Sequence, residues 1–208
     1  MASYFIVIDG MDGSGKTEAI TRLHNHLYKK NKRYRILTTK EPTYGTWGQQ
    51  VRKIIAEEKD PGASAEKCLE LYVKDREEHL KKTVVPFLNQ PDGDNVNIVL
   101  CDRYYYSTIA FQHAQGIPIE RLIALNAGFR KPDIAFIFDI PPEMALNRMK
   151  GRAKLEKFEE LDFMKKLREN FLHLKEIMPD SIIIVDASAG KQTVFGNVRK
   201  EVEKRLGL

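Results

Sequence analysis

The chain has 208 residues, with 34 Lys and Arg against 29 Asp and Glu and a net charge of +5 at pH 7. A chain of this length predicts one domain that buries about 70% of the surface exposed by the unfolded chain. It contains no run of about 18 apolar residues and no basic segment followed by an apolar stretch at its start, so we expect neither a membrane span nor secretion. The basic residues are interspersed with acidic ones, as in KDREEHLKK, which argues against a nucleic-acid partner. Cys68 and Cys101 stand far apart, which is typical of reduced core residues in a cytoplasmic protein.

Apolar segments alternate with amphipathic segments along the chain. Strands rich in Val, Ile or Phe are predicted at residues 4–9, 34–39, 96–101, 133–139 and 181–185. Nearly continuous apolar character is typical of strands that are buried on both faces of a parallel sheet. Helices are predicted at residues 16–30, 46–58, 64–85, 104–115, 119–128, 142–150, 159–177 and 191–206. The alternation predicts a three-layer α/β domain with a five-stranded parallel sheet flanked by helices.

The first predicted strand leads directly into the segment IDGMDGSGKT, residues 8–17. It matches the phosphate-binding loop pattern G-x-x-x-x-G-K-[ST]. Glycines let backbone N–H groups turn toward one polyphosphate, the lysine supplies charge for the outer phosphates, and the hydroxyl can bind Mg²⁺. The segment therefore predicts a nucleotide site formed by Gly10, Met11, Asp12, Gly13, Ser14, Gly15, Lys16 and Thr17.

Polar residues also follow the later strands. They are Lys40-Glu41-Pro42-Thr43, Asp102-Arg103-Tyr104, Asp139 and Asp186-Ala187-Ser188. Ligands of open α/β sheets bind beyond the carboxyl ends of the strands, so we expect these groups to form one site. Arg103 can clamp a second phosphate, and Asp102 can hold Mg²⁺ directly or through water, together with Thr17.

The phosphate-binding loop by itself does not distinguish switch GTPases, motor ATPases and small-molecule kinases. A GTPase is expected to carry a base-reading N-K-x-D segment late in the chain, and none is present. A motor ATPase is expected to have a strand ending in two acidic residues, whereas the third predicted strand ends in Asp102-Arg103. The sequence therefore favours a kinase with a second phosphate site.

Six segments, in order, resemble those of the thymidylate kinase family. They are FIVIDGMDGSGKT, KEPTYGTWGQQVR, LYVKDREEHL, LCDRYYYSTIAFQ, PDIAFIFDIPPEMALNRMKGR and KFEELDFMKKLRENFLHL. The resemblance implies a single P-loop kinase domain over residues 1–208, with a short lid at about residues 148–158. It also implies Mg²⁺-dependent transfer of a phosphoryl group from ATP to dTMP, giving ADP and dTDP for dTTP synthesis, by a homodimer.

The same resemblance assigns roles at the acceptor site. Asp12 is expected to accept a hydrogen bond from the sugar 3′-hydroxyl, and Arg103 to hold the phosphate of dTMP. Tyr72 and Arg76 lie four residues apart on one helix face, where the resemblance implies that the ring stacks on thymine and the guanidinium donates to O4. The remaining expected dTMP-binding residues are Glu41, Pro42, Ser107, Thr108 and Gln112, with Phe111 against the deoxyribose or base.

The catalytic residues implied by the resemblance are Lys16, Arg103 and Arg152. Arg152 is expected to arrive with the lid and to stabilise the charge of phosphoryl transfer. Arg148 is expected to bind ATP, and Lys191 with the turn at 187–190 to flank adenine.

The chain departs from the family pattern at two places. Lys40 stands where an arginine is frequent, and Thr43-Tyr44 replace two glycines. Gly13 stands where some relatives carry an arginine, which leaves the transferring charge to the lid. Two alternatives remain open: a deoxynucleoside kinase that phosphorylates thymidine with Glu41 as general base, and a regulatory protein that binds ATP without catalysis.

Overall fold

The computed structural model describes residues 3–57, 62, 64–90, 93–150 and 161–208. Five parallel strands form one sheet in the order β2-β3-β1-β4-β5. They are β1 (Ser3–Gly10), β2 (Tyr34–Lys40), β3 (Val96–Asp102), β4 (Ile134–Asp139) and β5 (Ile182–Asp186). The predicted five-stranded α/β fold is confirmed, and each predicted strand agrees with the observed one to within one residue at either end.

Helices flank this sheet. They are α1 (Lys16–Lys30), α2 (Thr46–Glu57), α3 (Ala65–His79), α4 (Val85–Asn89), α5 (Tyr105–Ala114), α6 (Ile119–Asn126), α7 (Pro142–Met149), α8 (Leu161–Ile177) and α9 (Lys191–Leu206). Helices α1 and α9 pack against each other and against the sheet. Helices α5 and α8 form a second pair that also packs against the sheet. Buried residues of β1 and β3, including Phe5–Ile8 and Ile98–Cys101, fill the centre of the core between these layers.

The segment predicted as one helix over residues 64–85 contains a break. After α3, residues Leu80–Val84 form a π-helical turn, and α4 begins at Val85. Pro86 is the reason, because it has no N–H to donate and its ring clashes with the carbonyl four residues earlier in a regular α-helix. A wider turn relieves that clash.

The register of the sheet places the polar ends of the strands side by side. Asp102 pairs with Ile8 on one side and with Lys40 on the other, and Asp139 pairs with Asp186. The segments that follow the strands therefore emerge at one edge of the sheet.

Two further predictions concern the core and the surface. Cys68 and Cys101 are buried and free, as expected of reduced core residues. None of the helices in the described part of the chain is both long and apolar enough to cross a membrane. Most of the predicted lid lies outside the described residues, since only 148–150 of it are included.

Candidate active site

A cavity of about 990 Å³ opens at the carboxyl edge of the sheet. Its walls come from the phosphate-binding loop, the segments after β2 and β3, helices α3 and α5, and the turn before α9. The predicted residues that line it are Asp12, Gly13, Ser14, Gly15, Lys16, Thr17, Glu41, Pro42, Tyr72, Arg76, Asp102, Arg103, Ser107, Thr108, Phe111, Gln112 and Arg148. Gly10 and Met11 of the same loop are buried, and Arg152 lies outside the described residues.

The phosphate-binding loop joins the end of β1 to the start of α1. The Lys16 ammonium donates to two loop carbonyls, those of Gly10 at 3.0 Å and Met11 at 2.8 Å. Burial, reinforced by the positive charge of Arg103, lowers the pKa of the Lys16 ammonium to about 8. The lysine thus sits at the floor of the cavity, with contacts that phosphate oxygens can replace.

The backbone at Gly13 explains why an arginine is absent from the loop. Gly13 has φ of +76°, and a Cβ added there would lie 2.6 Å from the carbonyl oxygen of Ala145 in α7. A larger residue would therefore require the loop to move away from α7. Any arginine for the transferring phosphoryl group must come from elsewhere in the chain.

Thr17 and Asp102 meet at the edge of this loop. The Thr17 hydroxyl donates to Asp102 Oδ2 at 2.8 Å, so the start of α1 and the end of β3 are joined at the cavity wall. A hydroxyl beside a carboxylate provides the oxygen ligands that Mg²⁺ takes when nucleotide phosphates complete its shell. Among the described residues, no group of three or more His, Cys, Asp or Glu forms an all-protein metal cage. The pair fits a metal shared with substrate.

Arg103 projects into the cavity between the loop and α5. Its guanidinium donates to Asp12 Oδ1 at 2.7 Å, to Ser107 Oγ at 2.6 Å and to the carbonyl of Gly10 at 3.2 Å. Burial opposes its charge, but Asp12, Asp9 and Asp102 outweigh that effect and raise the pKa of Arg103. The result is a permanent cation facing the phosphate-binding loop.

Arg76 forms the opposite end of the cavity and is 1% exposed. Its Nε donates to Glu41 Oε2 at 2.9 Å, Nη1 to Asn126 Oδ1 at 2.6 Å and Nη2 to Thr108 Oγ1 at 2.9 Å. The aromatic rings around the guanidinium, with centroids 5.2 to 6.0 Å away, are those of Tyr104, Tyr105 and Phe129. These three hydrogen bonds use three of five N–H donors, so two remain for a ligand.

Glu41 is committed to the protein at both carboxylate oxygens. Besides Arg76 it contacts His79, whose Nδ1 lies 2.9 Å from Oε1, while His79 Nε2 lies 2.8 Å from the Thr39 hydroxyl. A carboxylate only accepts, so Nδ1 carries the proton. Glu41 is 5% exposed, and both of its oxygens are occupied. This arrangement argues against its use as a general base toward a substrate hydroxyl.

The other predicted acceptor residues have distinct environments. Tyr72 and Phe111 are half-buried and line the cavity. Ser107, expected near the base, has its hydroxyl between Arg103 and Asp9. Gln112 is 3% exposed, and its Oε1 has no hydrogen-bond partner in the described part of the protein. That oxygen is available to a ligand N–H.

The side of the cavity expected to hold adenine is formed by α7 and the turn before α9. Arg148 donates from Nη1 to the carbonyl of Ala187 at 2.9 Å and from Nη2 to that of Ser188 at 3.4 Å. The turn at 187–190 and Lys191 line the same wall. The residues expected to hold adenine therefore lie together.

Several residues of the site were not predicted. His79 follows Arg76 by three positions, and helical spacing alone could have identified it as a neighbour. Asn126 lies 50 positions away on α6, and no local pattern marks it. Arg52 lines the cavity beside Lys40, and the two cations flank the Tyr44 ring at 5.0 and 4.5 Å from its centroid. The residues that replace the usual pattern after β2 thus form a basic, aromatic rim.

Comparison with known proteins agrees with this geometry. The sequence profile of the family described as thymidylate kinase matches residues 8–198. The chain is 38% identical to a protein of Pyrococcus horikoshii named "Probable thymidylate kinase", over 99% of this chain and 98% of that protein. A protein of the same name from Archaeoglobus fulgidus is 36% identical, over 98% and 96%. "Thymidylate kinase" of Caldicellulosiruptor saccharolyticus is 35% identical, over 99% and 98%. With a matching profile over most of its length and these full-length relatives, the chain belongs to the thymidylate kinase family.

Proposed function

We propose that this chain transfers the γ-phosphoryl group of ATP to dTMP, giving ADP and dTDP. The observation that carries the proposal is a cavity that joins the phosphate-binding loop to a second, half-buried cation, Arg103, and to a wall containing the buried Arg76. The names of the relatives point to the same reaction.

At the donor end, the loop amides and Lys16 bind the phosphates of ATP, and Arg148 with the 187–190 turn holds adenine. Thr17 and Asp102 would hold Mg²⁺, which, when bound, neutralises charge on the phosphates. Lys16 exchanges the carbonyls of Gly10 and Met11 for phosphate oxygens. Because these groups are held before substrate arrives, little reorganisation is needed at the moment of transfer.

At the acceptor end, Arg103 holds the phosphate of dTMP, and Asp12 accepts from the 3′-hydroxyl. The ring of Tyr72 stacks on thymine, Phe111 packs against the deoxyribose, and Arg76 donates one of its two remaining N–H groups to O4. The attacking atom is an anionic phosphate oxygen, so no general base is required. The absence of a general base is consistent with a site in which both carboxylate oxygens of Glu41 are bonded to protein, one to Arg76 and the other to His79.

We assign to Arg152 the cation that stabilises the transferring phosphoryl group. Transfer of a phosphoryl group spreads negative charge over its equatorial oxygens, and an arginine delivered to them can raise the rate by about 10³-fold or more. The close approach of Gly13 to α7 excludes an arginine from the loop and supports a lid residue in this role. Replacing Arg152 by alanine tests the assignment, with Lys150→Ala as the control.

The arrangement of Arg76 sets the expected order of acceptors. Loss of the thymine methyl costs about 10–200-fold, so dUMP should be a slower but measurable substrate. The exocyclic amine of dCMP brings a donor to a place where Arg76 already donates, so dCMP should be rejected more strongly.

The experiment is ADP release from ATP and Mg²⁺ with dTMP, dUMP, dCMP, UMP, AMP, GMP and thymidine as acceptors. A maximum at dTMP followed by dUMP supports the proposal. A maximum at thymidine or at another monophosphate contradicts the acceptor assignment. ATP binding without transfer to any acceptor contradicts the enzyme assignment and returns the regulatory alternative.

We further propose that the enzyme is a cytoplasmic homodimer, as membership of the family implies. Light scattering on the purified chain should give twice the mass of one chain. A single-chain mass at working concentration contradicts the dimer.

A further inference from the structure

Asp9 is a buried carboxylate next to the phosphate-binding loop, and no role assigned above uses it. It is 0% exposed and lies one residue before Gly10 on β1. Its Oδ1 accepts from the Gly10 N–H at 2.8 Å and from the Ser107 hydroxyl at 2.5 Å. Its Oδ2 accepts from the N–H groups of Tyr104 and Ser107, both at 3.0 Å. All of these partners are donors, and they belong to the loop and to α5.

The start of α5 depends on these contacts. Tyr104 occupies the N-cap position in an extended conformation, and no side chain of its own segment caps the helix. First-turn N–H groups need acceptors, which an N-cap side chain ordinarily supplies. Asp9 supplies one from β1 by accepting from the third residue of the helix, Ser107. The residue that caps α5, on the dTMP side of the cavity, thus lies on β1, the strand that leads into the phosphate-binding loop.

Arg103 lies between β1 and α5 in an unusual backbone conformation. Its φ is +71°, unusual for a residue with a side chain. Its N–H donates to the Ile8 carbonyl at 3.0 Å, and the next N–H along the chain donates to Asp9. Strained residues of this kind persist where the surrounding contacts over-determine them.

The side chain of Arg103 is tied to the same carboxylate. Its Nη1 donates to Ser107 Oγ at 2.6 Å, and that hydroxyl donates onward to Asp9. A direct approach of 3.7 Å joins Arg103 Nη1 to Asp9 Oδ1. Asp9 therefore acts on both the backbone and the guanidinium of Arg103.

We infer that Asp9 is the positioning residue for the acceptor phosphate, because it aims Arg103 and fixes it in register with the phosphate-binding loop. The inference rests on the proposed function, in which Arg103 holds that phosphate. An amide of the same shape cannot replace the carboxylate, since its NH₂ group would face at least one N–H or O–H donor.

The test compares Asp9→Asn with wild type by calorimetric binding of dTMP and thymidine, which differ by the phosphate. The variant should bind dTMP about 10- to 100-fold more weakly, as expected when a hydrogen-bonded charged group is misplaced. Its affinity for thymidine should stay within about threefold of wild type, because the hydrogen bonds of Asp9 are to Gly10, Tyr104 and Ser107 rather than to Arg76, which is proposed to read the base. Asp9→Glu keeps the charge and should restore part of the dTMP affinity.

Two further variants separate positioning from a general effect on folding. Ser107→Ala removes the hydroxyl that joins Asp9 to Arg103, and should give a smaller loss confined to dTMP. Asp180→Asn is the matched control, because Asp180 anchors α5 elsewhere by accepting from the hydroxyls of Tyr105 at 2.5 Å and Tyr106 at 2.8 Å. It should lower the melting temperature and leave the ratio of dTMP to thymidine affinity unchanged.

The outcomes are distinct. A dTMP-specific loss in Asp9→Asn and Ser107→Ala supports the inference, and Ser107→Ala decides alone if Asp9→Asn does not fold. An unchanged affinity ratio, or an equal loss for both ligands, overturns it. A wild-type chain that turns over other acceptors but not dTMP would instead contradict the proposed function.

Discussion

The cavity has one end proposed to bind phosphates, with Lys16 and Arg103, and one end proposed to bind the base, with Arg76. The phosphate end and the base end hold their cations in different ways. At the phosphate end, Lys16 donates to two loop carbonyls, and Arg103 contacts an Asp12 side chain that is 43% exposed. At the base end, Arg76 is 1% exposed and pairs with Glu41. The first kind of contact can be exchanged for phosphate oxygens, whereas the second is enclosed by protein. We infer that rate enhancement comes from the exchangeable end and base selection from the enclosed one.

The difference has an energetic counterpart. The charges of Arg76 and Glu41 compensate each other, and His79, Asn126 and Thr108 add further hydrogen bonds. A polar network with several internal hydrogen bonds makes the wall rigid. Among the described residues, the carboxylate nearest to the Lys16 ammonium is that of Asp12, whose Oδ1 lies 3.9 Å away, beyond hydrogen-bond range. Burial of the Lys16 ammonium lowers its pKa.

The largest expected effect comes from breaking the enclosed end. Replacing Arg76 by methionine leaves Glu41 buried beside His79 alone, and removal of one partner of a buried pair costs about 3–5 kcal/mol of unfolding free energy. Urea unfolding measures the loss. The double variant Glu41→Gln with Arg76→Met should recover part of it, because no uncompensated carboxylate remains. A loss below about 1 kcal/mol, the range of exposed ion pairs, would contradict an enclosed network.

The next effect comes from removing the exchangeable cation. Replacing Lys16 by methionine should reduce the rate of phosphoryl transfer by about 10²–10³-fold, as loss of one preorganised charge-stabilising group does. Steady-state ADP release with dTMP measures it. Lys29→Met, in the exposed last turn of the same helix, is the matched control and should leave the rate unchanged. A reduction of less than about tenfold would place the catalytic charge elsewhere.

The smallest expected effect is a dependence of ATP affinity on pH. ATP binding favours the charged form of Lys16, whose pKa in the free protein is lowered to about 8. The nearby phosphates raise that pKa again, so affinity for ATP should fall above pH 8 and be about tenfold weaker at pH 9 than at pH 7. Calorimetry in buffers of different ionisation enthalpy should show proton uptake on binding near pH 9. A flat profile between pH 7 and 9 would contradict a buried ammonium with a lowered pKa.

The same lysine affects stability with a sign that can be worked out. Its folded pKa lies below the ordinary lysine value, so between about pH 8 and pH 10 the unfolded chain binds more protons than the folded chain. The contribution of Lys16 to the free energy of unfolding is therefore unfavourable below pH 8. It improves as the pH rises through that window.

Local patterns in the sequence predicted most of the fold and the phosphate end of the site. Continuous apolar segments marked the strands, and the glycines with Lys16 and Thr17 marked the loop. The base end was predicted only in part: Tyr72 and Arg76 share a helix face, but the partners of Arg76 come from β2, α5 and α6. Contacts between distant segments leave no periodicity in the sequence.

Two other features were missed for definite physical reasons. The π-helical turn before α4 arises from Pro86 within a segment whose apolar spacing otherwise reads as one helix. The cap of α5 comes from Asp9, 98 positions before the Ser107 N–H that it accepts from, so no capping residue stands beside the helix itself. Both depend on packing rather than on local composition.

The most direct test of the account is a crystal structure of the chain with dTMP, Mg²⁺ and an unreactive ATP analogue. We expect Lys16 Nζ to have left the carbonyls of Gly10 and Met11 for phosphate oxygens. We expect Arg76 to keep Glu41, Asn126 and Thr108 as partners while it donates to O4 of a thymine stacked on Tyr72. An Arg76 that abandons Glu41 to reach the base, or a dTMP phosphate bound away from Arg103, would contradict the division between an exchangeable end and an enclosed end.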